Sequence, residues 1–253
     1  MVVHGRLLVN KDNKTVVIFN APACSGKDVA CQYLKDYFQV GKILAFKDEL
    51  YKDTAEHFNI DVEDLILYHA DRGLKEIPDL MFGKFQSESL KQYFFGLLYV
   101  IGVLLNSRYL MSLGYYSSRG ALIHVSENLV KPEKGKDYYG KKLVEKIEDS
   151  SERFYFVPDS GFKEESSMVA DKGYNVYIVH LERSGATFEG DSRKLLNKDD
   201  FKEHSNIKFT TISNNGSLDD LYNAIVDLSY DIVLDSVKER YGGETNEYEI
   251  VHV

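Results

Sequence analysis

The sequence predicts an α/β fold in which helices cover both faces of a mostly parallel β-sheet. Short apolar runs alternate along the chain with longer segments whose apolar residues recur at helical spacing. Strands that alternate with helices in this way pair in parallel and are buried on both faces. The chain has 253 residues, of which 43% are hydrophobic, which is enough for one large domain with a substantial core.

Six short apolar runs, bounded by polar or glycine-containing turns, predict the strands. In chain order they are residues 7–9, 15–19, 43–46, 154–157, 175–181 and 209–213. Lys47 is placed at the C-terminal end of the third strand. Asp159 and Arg183 follow the fourth and fifth strands within two residues.

Longer segments between these runs have the apolar spacing of helices. In chain order the predicted helices cover residues 25–40, 48–58, 61–68, 87–113, 119–130, 138–148 and 163–172, with a last helix after residue 217. Gly173 marks a helix end, and Ser217 with Asp220 forms a capping box at the last helix start. The apolar stretch 93–105 is shorter than the roughly 18 residues that span a bilayer, so a buried helix is predicted there.

Residues 16–28 carry the most informative local pattern, because an apolar strand runs through a short loop into a helix that starts at Gly-Lys. Such a layout aims backbone N–H groups, a partial positive charge and the Lys27 ammonium at one point, which favours phosphate binding. Compared with the pattern G-x-x-x-x-G-K-[ST], Ala21 replaces a glycine and Asp28 replaces the hydroxyl residue. The alternative is an ordinary helix start capped by Ser25 or Asp28.

Ligands of parallel sheets gather at the carboxyl ends of the strands. This rule selects the loop 25–28, Lys47, Asp159, Arg183 and the turn 214–216 as candidate site residues. Asp159 is favoured because a lone carboxylate after an apolar strand is costly without a partner. Lys47 could equally be the first exposed residue of a helix, and Arg183 could be a solvated surface charge.

Charge and cysteine content narrow the function classes. The formal net charge of −9 at pH 7 disfavours broad binding to nucleic acid or to an anionic membrane. Small anionic substrates held by a few cations remain compatible with it. The two cysteines, Cys24 and Cys31, imply no disulfide framework, and the N-terminus has no signal-peptide pattern, so a cytoplasmic location is expected. The scattered histidines argue against a zinc site, and a homodimer is left open.

Several short motifs occur in an order that resembles phage-type deoxynucleoside monophosphate kinases. The motifs lie at residues 25–28, 45–50, 71–76, 118–119, 157–165 and 214–218. The resemblance covers most of the chain as this ordered series and includes the unusual aspartate at position 28. In such kinases the Asn-Asn-Gly turn, here residues 214–216, lies against the adenine of ATP.

The resemblance implies a P-loop kinase-type three-layer α/β/α sandwich with a mostly parallel sheet and with helical acceptor-binding and lid insertions. Residues 1–253 are expected to form a single domain, with a helical substrate-binding insertion at about 48–150 and a lid at about 183–204. The implied activity is ATP-dependent phosphorylation of deoxynucleoside 5′-monophosphates to diphosphates for phage DNA synthesis, with ATP and Mg²⁺ as cofactors and with no stable nucleic-acid or membrane partner.

The same resemblance, with the strand-end rule, assigns roles to individual residues. Phosphoryl transfer is assigned to Lys27, Arg119, Asp159 and Arg183. ATP contacts are assigned to Ala23, Cys24, Ser25, Gly26, Lys27, Asp28, Val29, Arg183, Asn214 and Gly216, and Mg²⁺ to Asp28 and Asp159. Acceptor contacts are assigned to Lys47, Arg72, Lys75, Arg119, Tyr139, Asp159 and Glu165. Arg183 and Arg193 flank the polar part of the predicted lid.

Other interpretations of these residues remain open. Tyr139 could pack in the core, Glu165 could simply begin a helix, and Arg72 could pair with Asp71. The chain also departs from the family on the acceptor side, most clearly at Gly161, where an arginine is expected; the other departures are Gly120, Ile123, Ser126, Glu127 and Tyr139. Alternative functions are therefore a kinase for another acceptor, such as a hydroxymethylated base in phage DNA, or a nucleotide-binding module without turnover.

Overall fold

The computed structural model describes residues 14–83 and 115–241. The predicted strand 7–9 and the predicted helical region 87–113, with its apolar stretch 93–105, lie outside these ranges. The chain divides into two compact units. Unit 1 contains the described residues up to Ala45 and from Leu143 onward, and unit 2 runs from Phe46 to Lys142.

Unit 1 is built on a parallel sheet. Its strands are β1 (Thr15–Asn20), β2 (Lys42–Ile43), β3 (Phe154–Val157), β4 (Asn175–Glu182) and β5 (Ile207–Ser213). They pair in the order β2-β3-β1-β4-β5, and every pairing is parallel. Every residue of β1 is buried, as expected for a strand covered on both faces. The predicted α/β class and parallel sheet are therefore confirmed.

The helices of the described residues connect these strands and build unit 2. They are α1 (Lys27–Phe38), α2 (Lys47–Phe58), α3 (Val62–Ala70), α4 (Ser118–Ile123), α5 (Lys131–Lys134), α6 (Tyr138–Glu148), α7 (Lys163–Ala170) and α8 (Leu218–Tyr241). A π-helical segment, His124–Val130, joins α4 to α5, and 3₁₀ turns occur at Leu80–Phe82 and Lys198–Phe201. Within these described ranges, no helix combines the length and the apolarity needed to cross a bilayer.

Helices pack on both faces of the sheet. On one face, α1 and α8 enclose a core that includes Val17 and Phe19 of β1 together with Leu34 and Ile225. Each of these side chains is completely buried, and burial of a large apolar side chain contributes about 1.5–3 kcal/mol. On the other face, α7 contacts β4, and Tyr155 of β3 donates a hydrogen bond to the carbonyl of Ile147 in α6 (3.2 Å). This arrangement is compatible with a three-layer α/β/α fold.

Two predicted elements differ most clearly from the structure. The strand predicted over 43–46 is only Lys42–Ile43, although the Leu44 amide still donates to the Phe156 carbonyl (3.0 Å). Phe46 already has helical dihedral angles (φ −59°, ψ −37°), so Lys47 is the first residue of α2 and not the end of a strand. A short buried apolar run fits either structure, and periodicity does not separate them. The helix predicted over 119–130 is split between α4 and the π-helical segment.

Gly41 permits the close approach of the chain after α1 to strand β3. Its φ is +88°, and a Cβ at this position would clash with the Phe154 carbonyl oxygen and lie 2.9 Å from the Phe154 Cβ. We expect Gly41→Ala to lower the free energy of unfolding by roughly 3 kcal/mol or more, measured by urea denaturation.

Gly173→Ala is the matched control for Gly41→Ala. Gly173 also has a positive φ (+77°), but a Cβ there would meet nothing within 4 Å. Only backbone strain is expected, at about 1 kcal/mol. Equal losses in the two variants would show that the contact with Phe154 is unimportant.

Unit 2 packs α2, α3 and α4 with the π-helical segment around a small aromatic core. Leu65 and Phe82 are completely buried, and the rings of Phe58 and Phe82 meet edge to face at 5.7 Å. An antiparallel bridge between Pro78 and Ser117 joins the turn that follows α3 to the N-terminus of α4. The predicted motifs at 71–76 and 118–119 therefore lie side by side.

Candidate functional site

The carboxyl edge of the sheet in unit 1 brings together the loops that follow β1, β3, β4 and β5. Because all strands are parallel, these loops lie at one edge. β1 and β4 are neighbours in the sheet. The connection from β1 leads to β2 at one edge of the sheet, and the connection from β4 leads to β5 at the opposite edge. Such a reversal of strand order marks the usual ligand crevice of an open α/β sheet. The loop after β1 occupies that point.

The loop between β1 and α1 reverses the chain sharply before the helix. Cys24 and Gly26 have positive φ angles of 63° and 92°, which reverse the chain before α1. Ser25 Oγ donates to the Pro22 carbonyl (2.9 Å), and Lys27 Nζ donates to the same oxygen (3.2 Å). The N-cap is Gly26, without a side-chain capping bond, so neither Ser25 nor Asp28 caps α1 as the alternative interpretation required.

The backbone amides of α1 make the same loop attractive to anions. The Ala30 amide donates to the Gly26 carbonyl (3.0 Å) as the first intrahelical bond, and the amides before it belong to a helix turn that has no intrahelical acceptors. Ala23, Cys24, Asp28 and Val29 are exposed around them. A helix N-terminus with accessible amides favours negatively charged ligands.

Two side chains that follow strands distant in sequence contact this loop, as the strand-end rule predicted. Asn214, after β5, donates from Nδ2 to the Ser25 carbonyl (2.8 Å). Arg183, after β4, donates from Nη1 to the Cys24 carbonyl (3.4 Å). A Cβ on Gly26 would lie 2.5 Å from Asn214 Nδ2, so glycine is needed there for space as well as for its dihedral angle.

The turn that contains Asn214 continues into α8 through the predicted capping box. The Asp220 amide donates to Ser217 Oγ (3.2 Å), and the Ser217 amide donates to Asp220 Oδ2 (2.7 Å), which confirms that prediction. Asn215 Oδ1 accepts the amide of Ser184 (2.7 Å). The start of the predicted lid is therefore bonded to the turn that carries Gly216.

The carboxylates of Asp28 and Asp159 both act electrostatically on Arg193 and on Cys31 in unit 1. Burial alone would lower the pKa of Arg193, but hydrogen bonding and charge from Asp191, with the charges of Asp159 and Asp28, raise it. Burial raises the pKa of the Cys31 thiol, and the same two carboxylates raise it further. Asp159 itself is only 9% exposed. Two carboxylates thus lie close to the loop between β1 and α1.

Arg193 is held in place by a carboxylate and by a glycine. Its Nε and Nη2 atoms donate to Asp191 Oδ1 and Oδ2 at 3.0 and 2.6 Å. The Lys194 amide donates to the Gly161 carbonyl (3.0 Å). A Cβ on Gly161 would clash with the Arg193 Cβ and lie 2.8 Å from its Cγ. Where the resembling family has an arginine, this chain has a glycine, and the side chain of Arg193 packs against it.

Asn20 connects three parts of this edge and was missed from the sequence. Its Nδ2 atom donates to the carbonyls of Ser160 (3.2 Å) and Lys194 (3.0 Å), while Oδ1 accepts the Leu196 amide (2.8 Å). Asn20 is completely buried, and buried polar groups need such partners. An asparagine directly after the apolar run of a buried strand was the signal that could have found it.

Unit 2 contains a cluster of cations around His69, which was also missed. His69 Nδ1 lies 3.0 Å from Ser118 Oγ. Burial, together with the charges of Lys75, Lys47 and Arg119, lowers the pKa of His69 to about 4. The structure therefore brings three predicted acceptor cations to one side chain. Only the arrangement of α2, α3 and α4 reveals that His69 is at the centre.

The remaining predicted acceptor residues have diverse surroundings. Arg72 is exposed in a turn where Asp71 Oδ1 accepts the amide of Gly73 (2.7 Å). Tyr139 is 2% exposed, and its ring meets Tyr138 edge to face at 5.1 Å, which favours the core alternative. Glu165, in unit 1, is 4% exposed in the first turn of α7.

The donor groups near the loop suit a nucleotide-associated magnesium ion. Among residues 14–83 and 115–241, no group of three or more His, Cys, Asp or Glu side chains could hold a metal ion. Magnesium in nucleotide sites usually takes only one or two carboxylates and completes its shell with phosphates and water. Asp28 and Asp159 fit that requirement.

No protein-family model matches this chain, and no curated protein sequence matches it significantly. Function is therefore inferred from the contacts within the two units and from the motif resemblance.

Proposed function

We propose that this protein is an ATP-dependent deoxynucleoside monophosphate kinase with a P-loop kinase-type fold. It would transfer the γ-phosphoryl group of ATP to the 5′-phosphate of a deoxynucleoside monophosphate and supply diphosphates for phage DNA synthesis. The observation that supports this most is the loop between β1 and α1, which Asn214 and Arg183 contact at the carboxyl edge of a parallel sheet. The proposed substrates are cytoplasmic metabolites, so the proposed location is the host cytoplasm.

Lys27 and the first-turn amides of α1 would bind the β- and γ-phosphates of ATP. The Lys27 ammonium is already directed into the loop, where it donates to the Pro22 carbonyl. A phosphate oxygen is a stronger, charged acceptor for the same donor. Asn214 and Gly216 would lie beside the adenine, as the motif resemblance implies.

Phosphoryl transfer needs positioning and neutralisation of charge more than covalent chemistry. Asp28 and Asp159 would hold Mg²⁺, which supplies positive charge to the phosphate oxygens when it is bound. Arg183 and Arg193 would add guanidinium donors for the transferring group. A general base is unnecessary, because the attacking phosphate oxygen is already anionic.

The cationic cluster of unit 2 would bind the phosphate of the acceptor. Lys47, Lys75 and Arg119 all act on His69, and Arg119 also pairs with Glu76 at 3.0 Å. Three cations of one cluster match the charge of a phosphate monoester better than that of a neutral hydroxyl acceptor. Arg72, Tyr139 and Glu165 stay predictions from the motif resemblance.

An acceptor screen tests the proposal. The wild-type protein is incubated with ATP and Mg²⁺ together with each deoxynucleoside monophosphate, its ribonucleotide, or hydroxymethylated DNA, and products are separated by ion-exchange chromatography. We expect diphosphates from at least one deoxynucleotide, with a kcat of about 1–100 s⁻¹, as is typical of kinases.

Each other outcome of this screen contradicts the proposal in a specific way. Phosphate transfer only to DNA would indicate a base kinase. Tight ATP binding without any product would indicate a nucleotide-binding module. A sample with EDTA is the control for metal dependence.

A further inference from the structure

Asn20 is the last residue of β1, directly before the loop that leads to α1, and its side chain is completely buried. Its amide group bonds to backbone atoms that lie 140 to 176 residues further along the chain. Nδ2 donates to the carbonyls of Ser160 (3.2 Å) and Lys194 (3.0 Å), and Oδ1 accepts the amide of Leu196 (2.8 Å). One side chain thus joins the end of β1 to the loop after β3 and to the segment 193–196.

The three partners of Asn20 match the chemistry of a carboxamide. Two of them are carbonyl acceptors and one is an amide donor, and a carboxamide offers N–H donors and an oxygen acceptor on one short side chain. An aspartate would turn a carboxylate oxygen toward two carbonyls. Because buried polar groups need hydrogen-bond partners, the bonds of Asn20 fix both segments at set distances from the end of β1.

The two segments that Asn20 joins carry charged residues of the candidate site. Asp159 and Arg193 each lie one residue before a carbonyl that Asn20 binds. The segments also bond to each other, because the Lys194 amide donates to the Gly161 carbonyl (3.0 Å). A Cβ on Gly161 would lie 2.8 Å from the Arg193 Cγ, so the arginine packs closely there. A shift of either segment would therefore displace both charged groups.

A second contact holds Leu196 from the neighbouring strand. Asn20 and His180 are partners in the parallel register of β1 and β4. Burial lowers the pKa of His180, and a hydrogen bond with the backbone of Leu196 raises it. The side chain of Leu196 is itself buried. Loss of the Asn20 amide is therefore expected to loosen the segment 193–196 without releasing it from the sheet.

We propose that Asn20 is a positioning residue for phosphoryl transfer, which holds Arg193, and with it Asp159, in place beside the loop between β1 and α1. This role rests on the proposed function, because it uses the parts assigned there to Arg193 and Asp159. Asn20 is completely buried and acts through these two residues. Phosphoryl transfer depends mainly on positioning, and a displacement of about 1 Å can reduce a catalysed rate by about 10²-fold.

Substitution of Asn20 by alanine tests this role. Asn20→Ala removes the three bonds and leaves a space in which water can bond to the backbone groups. With the deoxynucleotide that the acceptor screen identifies, we expect kcat to fall by about 10–100-fold. The KM for ATP should stay within about threefold of wild type, because Lys27 and the first-turn amides of α1 are unchanged. Steady-state kinetics measures both quantities, and circular dichroism measures the folded fraction.

The background Arg193→Ala shows whether Asn20 acts through that guanidinium. A smaller folded fraction would lower activity by the same factor with or without Arg193. If Asn20 positions Arg193, adding Asn20→Ala to Arg193→Ala should reduce kcat by less than about threefold, because residues that act as a unit are not additive. Equal losses in the two backgrounds would overturn the proposal.

Asn206→Ala is the matched control. Asn206 Nδ2 donates to the carbonyls of Ala170 and Tyr174, at 2.8 Å each, so this asparagine also binds two backbone carbonyls in unit 1. It directly precedes β5, at the opposite edge of the parallel sheet from the loop after β1. We expect its kcat to stay within about twofold of wild type, because distant sites act independently. A loss as large as that of Asn20→Ala would assign the effect to general destabilisation and overturn the proposal.

Hydrogen exchange tests the position of the segment without an assay of catalysis. The Lys194 amide, which donates to Gly161, follows Arg193 directly and can be observed by NMR. In Asn20→Ala its exchange with solvent is expected to be at least about tenfold faster than in wild type, whereas Asn206→Ala should leave it within about twofold. Unchanged exchange in Asn20→Ala would overturn the proposal. If Asn20→Ala does not fold, Asn20→Ser is measured instead, because its hydroxyl can keep one of the bonds.

The outcomes separate this role from the proposed function. Diphosphate formation that is unchanged in Asn20→Ala would leave the kinase function standing and remove Asn20 from it. An acceptor screen without diphosphate would contradict the kinase function and the catalytic part of this proposal. The exchange of the Lys194 amide would then decide by itself whether Asn20 holds the segment that carries Arg193.

Discussion

Replacing Lys27 with alanine is expected to lower kcat/KM for phosphoryl transfer from ATP by about 10²–10³-fold. Lys27 is 8% exposed, and its ammonium is directed into the loop between β1 and α1. Its removal leaves the backbone amides of α1 but takes away the full positive charge for the β- and γ-phosphates. The measurement is a steady-state assay with the deoxynucleotide that the acceptor screen identifies.

The folding of this variant must be measured beside its activity. Loss of the bond from Lys27 to the Pro22 carbonyl is expected to cost about 1 kcal/mol, a change of a few degrees in the thermal midpoint. Lys35→Ala is the matched control, because Lys35 lies in the last turn of the same helix with an exposed ion pair to Asp36. Its activity should stay within about twofold of wild type.

An unchanged kcat/KM in Lys27→Ala would remove Lys27 from the mechanism and with it the proposed role of the loop. Circular dichroism would show whether a loss of activity in Lys27→Ala is caused by unfolding. If Lys35→Ala lost as much activity as Lys27→Ala, the effect would come from the charge of α1 as a whole and not from the loop.

The elements that were predicted well depend on local signals. The predicted ranges 138–148 and 154–157 agree with α6 and β3. Apolar residues at helical spacing predict the first, and a short run of aromatic and apolar residues predicts the second, without any information on tertiary contacts. The segment after Ile43 was assigned incorrectly, because Ala45 and Phe46 are buried in a helix start as they would be in a strand. Burial alone does not decide the backbone conformation.

The site in unit 1 was partly predictable because a parallel sheet imposes its own geometry. Asn214 contacts Ser25 across 189 residues of sequence, yet the strand-end rule by itself places both residues at one edge of the sheet. The anchoring by Asn20 and the contact of Gly161 with Arg193 follow no such rule. They depend on how closely two loops approach, which a sequence pattern does not encode.

Gly161→Ala is expected to reduce phosphoryl transfer by about 10–100-fold through its effect on Arg193. The new Cβ would clash with the Arg193 Cβ and lie 2.8 Å from its Cγ and 3.1 Å from its Cα. Backbone as well as side chain must move, so the guanidinium leaves the position that Asp191 gives it. Overpacking of this kind costs about 1–3 kcal/mol, to be measured by urea denaturation together with steady-state kinetics.

A double-mutant cycle distinguishes displacement of Arg193 from general destabilisation. Arg193→Ala alone removes the guanidinium, so adding Gly161→Ala to it should cost less than about twofold further activity, because residues that act as a unit are not additive. Gly173→Ala is the control, since it strains the backbone without nearby atoms and should leave kcat unchanged. Additive losses in the cycle would show that Gly161 does not act through Arg193. Activity would then depend on the loop after β3 itself, with Asp159 as the next residue to substitute.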